Sequence, residues 1–149
     1  MGRASAHGFS PDVLIDLRRS AGLSQAALAR AVGVSAVSVR SWESGRKIPQ
    51  ADALGRLATV FSEALSSDVT VADFVDIPES GRTLADWRVL CALTQAEAAN
   101  RSGLSPSHYG GLERGESALS AHTASRIAHA LGITTEEAMS ASDETQRNL

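Results

Sequence analysis

Side chains that could do covalent or metal chemistry are few in this 149-residue chain. A lone Cys91 cannot close an internal disulfide and reads most simply as a small packing residue. His7, His108, His122 and His129 are scattered without the spacing of metal ligands. There is no glycine-rich loop to cradle phosphates, no metal constellation and no nucleophile elbow. A catalytic centre, a metal site and a cofactor are therefore not expected. The chemistry that remains is that of charge and hydrogen bonding: guanidiniums, an ammonium and side-chain amides.

That charge is unevenly spread. The formal total is -3. Residues 1 to 61 hold eight Arg and Lys against four Asp and Glu, whereas residues 62 to 149 hold six against thirteen, so the halves carry +4 and -7. Binding answers to the local field rather than to the total, so the front half suits a polyanion such as nucleic acid and the rear half needs another task. The elements that must position these charges are helical. The composition is 43% apolar, 21% charged and only 4% aromatic, a core of small aliphatic residues suited to closely packed helices. No run approaches 18 apolar residues and the N-terminal MGRASAHGFS has no apolar segment, so a cytoplasmic protein without a membrane span is expected.

The chain also repeats itself. A shift of 70 residues lays LRRSAGLSQAALARAVGVSAVSVRSWESG on WRVLCALTQAEAANRSGLSPSHYGGLERG without a gap, with twelve identities over residues 17 to 61. They include Arg18/Arg88, Gln25/Gln95, Ala29/Ala99, Gly33/Gly103, Glu43/Glu113 and Gly45/Gly115. The punctuation predicts short helices. Ser10 with Pro11, Ser24 and Ser35 start the first three, Gly33 makes a turn, Gly45 ends the third, and a fourth follows Pro49. In the second copy Thr94 with Glu97, Ser105 with Pro106, and Thr134 with Glu137 do the same work, and Thr70 with Asp73 marks a fifth helix of the first copy. The expected boundaries are a flexible stretch 1–9, a first domain 10–76, a linker 77–82, a second domain 83–139 and a disordered tail 140–149.

The stretch SQAALARAVGVSAVSVRSWESGRKIP resembles the helix-turn-helix of Cro/repressor-type regulators, the lambda-repressor-like family. The resemblance extends over both repeats and implies an all-α fold of two tandem five-helix DNA-binding domains. Leu28, Val32, Val34, Val39 and Trp42 would fill the first core. By this resemblance the third helix enters the major groove, with Ala36, Val37, Arg40 and Ser41 at base-reading positions. Arg40 can pair bidentately with guanine, while Ala36 and Val37 can touch only a thymine methyl. Gln25, Ser38, Arg46 and Lys47 fall where phosphates are gripped. Arg18 with Glu43, and Arg88 with Glu113, are expected as structural ion pairs.

The second repeat keeps this frame and changes the face. Pro106, Ser107, Gly110 and Gly111 stand at the reading positions, and Glu116 and Ser117 replace the two clamping cations. Gln95, Ser107 and Arg114 could form at most a weak second site, the glycines allowing close approach to DNA. Otherwise this acidic module serves dimerisation or a protein partner. The expected function is a sequence-specific, double-stranded-DNA-binding transcription regulator of repressor type, homodimeric and nucleoid-associated. An antitoxin or adaptor that uses the frame to hold another protein is the alternative. No ligand pocket is read from the sequence.

Overall fold

The computed structural model describes residues 8–148, and the chain divides into two compact units, Met1–Ile77 and Pro78–Leu149. Among the described residues the secondary structure is entirely helical. Unit one contains α1 (Pro11–Ser20), α2 (Gln25–Val32), α3 (Ala36–Glu43) and α4 (Ala51–Leu65), followed by a single 3-10 turn at Val71–Asp73. Unit two contains α5 (Leu84–Leu90), α6 (Gln95–Ser102), α7 (Pro106–Glu113), α8 (Ala121–Leu131) and α9 (Thr135–Arg147). No helix of the described residues is long and apolar enough to cross a membrane.

Local chemistry explains the starts and stops. The hydroxyls of Ser10, Ser24 and Ser35 accept the N–H groups of Val13, Ala27 and Ser38, satisfying donors that a helix start leaves open. Gly33 ends α2 at φ 86°, a left-handed conformation that a side chain would strain, and lets Val34 donate back to the Ala29 carbonyl at 2.9 Å. Gly103 ends α6 at φ 70°, and Leu104 returns to Ala99 at 2.9 Å. These paired turns set α3 against α2 and α7 against α6 around small contacts at Ala29 and Ala99, both buried. Leu14, Leu28, Val39, Trp42, Leu57 and Phe61 close the first core, while Val34 is only half-buried. Leu84, Ala98, Tyr109, Leu112, Ile127 and Ala138 form the second.

Three sequence expectations need correction. The segment opened by Thr70 and Asp73 does form its capping box, yet it makes one 3-10 turn and no fifth α-helix. The Phe74 carbonyl, which a longer helix would use internally, accepts the Ser10 N–H at 2.9 Å, while the Phe74 ring packs on Phe61 at 6.1 Å between centroids. The flexible stretch expected over 1–9 falls outside the described residues up to His7, but Phe9 is buried in the core. Finally, the tail expected to be disordered from Ser140 is the second half of α9. Ala138, Ala141, Ser142 and Thr145 recur at helical spacing and are buried, and the Thr145 hydroxyl donates to Ala141 and accepts the Leu84 N–H at 3.1 Å.

That last bond ties the end of the chain to the first turn of α5. Thr145→Val keeps the shape and strands a buried N–H, so unfolding of unit two, followed through Trp87 fluorescence, moves to lower denaturant by about 1–3 kcal/mol. A freely solvated tail would show no change.

Candidate nucleic-acid interface

In each unit one carboxylate organises the ends of three helices. Glu43, the last residue of α3, takes Arg18 Nε at 2.5 Å and Arg18 Nη2 at 3.0 Å from α1, and the Gln25 amide nitrogen at 2.9 Å from the start of α2. Arg18 Nη1 also donates to the Leu23 carbonyl at 3.0 Å. Glu113 is held in the same way by Arg88 at 2.6 and 3.1 Å and by Gln95 at 2.9 Å. Burial by itself would raise the Glu43 carboxyl, but the hydrogen bonds from Arg18 and Gln25 and the Arg18 charge outweigh it and hold the group below its ordinary range. Arg18 is correspondingly raised, chiefly by the hydrogen bond to Glu43. In unit two, burial first and the Glu113 charge second push the Tyr109 phenol far above its usual range, so it stays neutral in the core.

This strut fixes where α3 points. Val39 and Trp42 face the core, and the other side of the helix is open: Val37 is 60% exposed and Arg40 is exposed. Beyond the helix, Gly45 at φ 78° turns the chain back so that the N–H groups of Arg46 and Lys47 both donate to the Ser41 carbonyl, at 3.0 and 3.2 Å. Val37, Arg40, Ser41, Ser44 and Arg46 thereby line one shallow concavity of about 270 Å³. Arg40, Arg46 and Lys47 make no hydrogen bond or ion pair through their side chains to other described residues. Their donors remain open to an outside acceptor.

The other residues singled out from the sequence sit differently. Ala36 is half-buried at the start of α3, and the Ser38 hydroxyl shares a hydrogen bond with Ser35 at 3.1 Å. The Gln25 amide nitrogen gives one N–H to Glu43 and so takes part in the strut, and its second N–H stands with the first-turn backbone of α2 as a donor for a phosphate. Ser44 was not read from the sequence. It joins the concavity because its position one step past α3 is exposed, and its hydroxyl donates to Ser41 at 3.1 Å.

The matching face of unit two is closed by its own side chains. Arg114 Nε meets Glu116 Oε2 at 2.6 Å, and this exposed pair lies over the two glycines of α7. A Cβ at Gly110 would come within 3.1 Å of Arg114 Nη1, and one at Gly111 within 3.0 Å of Glu116 Oε1. The bare stretch that could have let α7 approach a duplex is filled from within, and Arg114, counted as a weak second-site cation, is neutralised by Glu116. Ser107 is exposed and Gln95 is bound to Glu113. Cys91 is half-buried, its thiol donates to the Leu131 carbonyl at 3.2 Å, and burial raises it, which suits a packing residue.

Residues 12–62 match the family model described as a helix-turn-helix domain, and residues 84–137 match the one described as helix-turn-helix. The protein is a tandem helix-turn-helix protein, all-α, consistent with a regulator of the Cro/lambda-repressor type. Comparison with curated proteins and with solved structures gives no match.

Because the folded Glu43 lies below its unfolded value near 4.5, the stability that it contributes is present above that value and is lost as pH falls through the lower folded one. Acid unfolding of unit one, followed by Trp42 emission, should therefore flatten in Glu43→Gln. Arg18→Met leaves that carboxylate at 7% side-chain exposure without its cation and should cost about 3 kcal/mol at neutral pH.

Proposed function

We propose that the chain is a sequence-specific regulator of transcription, of repressor type, that reads double-stranded DNA with α3 of unit one. Arg40 is the principal base reader, with Val37 and Ser41 beside it, and Arg46 and Lys47 hold the phosphates on one flank. The observation that carries this reading is the contrast between two copies of one frame. Among the described residues Arg40, Arg46 and Lys47 have no partner, Arg40 on the exposed face of α3 and the other two just beyond it, whereas the same face of α7 carries an Arg114–Glu116 pair. A positive concave face attracts the DNA backbone, whereas a face whose cation sits beside a carboxylate presents little net charge to a phosphate.

One helix reads few base pairs, so two chains would pair on an inverted repeat whose half-sites lie about one helical turn, roughly 34 Å, apart or a multiple of it. Unit two would then supply pairing or partner contacts, and the protein would work at the nucleoid in the cytoplasm. Its acidity and self-closed α7 face also favour a second reading, in which the frame chiefly holds another protein, as an antitoxin or adaptor does.

Site selection from random duplexes with the full chain, followed by titration of variants, separates the two. Arg40→Ala should relax preference at one base pair and cost about 1–3 kcal/mol, while Lys47→Ala should weaken all duplexes alike and reduce the salt slope by about one. Ser107→Ala should leave affinity unchanged. A chain that enriches no duplex at low salt, or that loses affinity mainly through Ser107, would overturn the assignment.

A further inference from the structure

Unit two holds a second hollow, away from α7. The end of α6 and the middle of α8 enclose an open concavity of about 470 Å³, lined among others by Asn100, Arg101, Gly103, Ser125, Arg126 and His129. Two guanidiniums and an imidazole face the same space. Among the described residues, no carboxylate pairs with them and none of the three side chains makes a hydrogen bond.

The sister unit shows how this came about. The residue matching Arg126 is Arg56, whose Nε donates to the Val32 carbonyl at 3.0 Å and whose Nη1 pairs with Asp52 at 3.2 Å. In unit two the place of Asp52 is taken by His122, Ala31 becomes Arg101, Gly55 becomes Ser125 and Thr59 becomes His129. Arg126 makes neither contact of Arg56. Its guanidinium lies across the end of α6, where a Cβ on Gly103 would fall 2.6 Å from Nη2. The acid of Asp52 has been lost and a guanidinium has moved one position, since Arg30 and Ala31 are matched by Asn100 and Arg101, while His122 and His129 are new, all in the half of the chain that is otherwise strongly acidic.

Like charges gathered without a counter-charge repel, and a concavity lined by one sign concentrates the opposite ion. Guanidinium forks fit planar or tetrahedral oxyanions bidentately, and a hydroxyl and an amide complete such a shell. We propose that this hollow binds a small, multiply charged oxyanion, and so gives unit two an effector site. No residue of α7 lines it, which favours a free small ligand over a DNA backbone.

Calorimetric titration of the full chain with pyrophosphate and, separately, with citrate tests the idea and distinguishes a phosphate from a carboxylate ligand. Saturable binding of at least one is expected. Arg126→Ala should weaken it at least tenfold. His122→Asp, which restores an acid one turn before Arg126 as in unit one, should do the same while leaving the thermal unfolding of unit two in place. Absence of saturation with both anions, or unchanged binding in His122→Asp and Arg126→Ala, overturns the proposal. So does competition by a duplex together with an equal loss of DNA affinity in Arg126→Ala, because the hollow would then be a backbone clamp. Anion binding and DNA binding are read in separate titrations, so failure of either reading is seen by itself.

Discussion

A single buried carboxylate at the end of the third helix of each unit holds the rest in register. Glu43 and Glu113 each sit where three chain segments converge, and each is satisfied by a guanidinium fork and an amide. Such a charge is tolerable only while its donors stay in place, since the desolvation of an unpaired carboxylate exceeds what the intact pair contributes. The arrangement is therefore a geometric constraint more than a source of stability. It fixes the angle at which α3 leaves the core, and with it the direction of every exposed side chain on that helix.

Much of this could be read from residue types. The pairs Arg18 with Glu43 and Arg88 with Glu113 were implied by the family resemblance, and the serine, threonine and glycine punctuation located the helix ends because capping is a local interaction. What escaped was non-local or weakly patterned. The buried stripe of α9 is made of Ala, Ser and Thr, which carry too little hydrophobic contrast to stand out from a solvated tail. The segment at Val71 has a helix start but ends after one turn, because the Phe74 carbonyl is claimed by Ser10, sixty-odd residues away in sequence. Gln25 was expected at a phosphate, and only the fold brings Glu43 within 2.9 Å of its amide nitrogen. The hollow beside Arg126 was invisible because it depends on an acid missing from α8 and on a guanidinium crossing a glycine.

The two units show where sequence is constrained and where it is free. Both keep the strut, the left-handed glycine between the second and third helices and the small alanine beneath it, and in both the core is closed by the same face of the third helix. The opposite face and the fourth helix carry changes of charge and chemistry. There Arg40 and Ser41 are matched by Gly110 and Gly111, and Asp52 by His122. Substitution at solvent-facing positions leaves packing untouched, so one duplicated frame can present a cationic groove in one copy and a self-neutralised face in the other.

The hairpin bend after α3 has a wider implication. Its shape is set by main-chain amides, those of residues 46 and 47 in the first unit and of Glu116 in the second, which return to the helix at Ser41 and Gly111. Beyond the left-handed Gly45 and Gly115, the bend tolerates a change of the side chain that follows, as the exchange of Arg46 for Glu116 shows. The bend behaves like a bracket with interchangeable fittings. Polarity could be inverted there by a two-residue graft without disturbing the scaffold, which makes it a natural place for lineages, or engineers, to re-address the module.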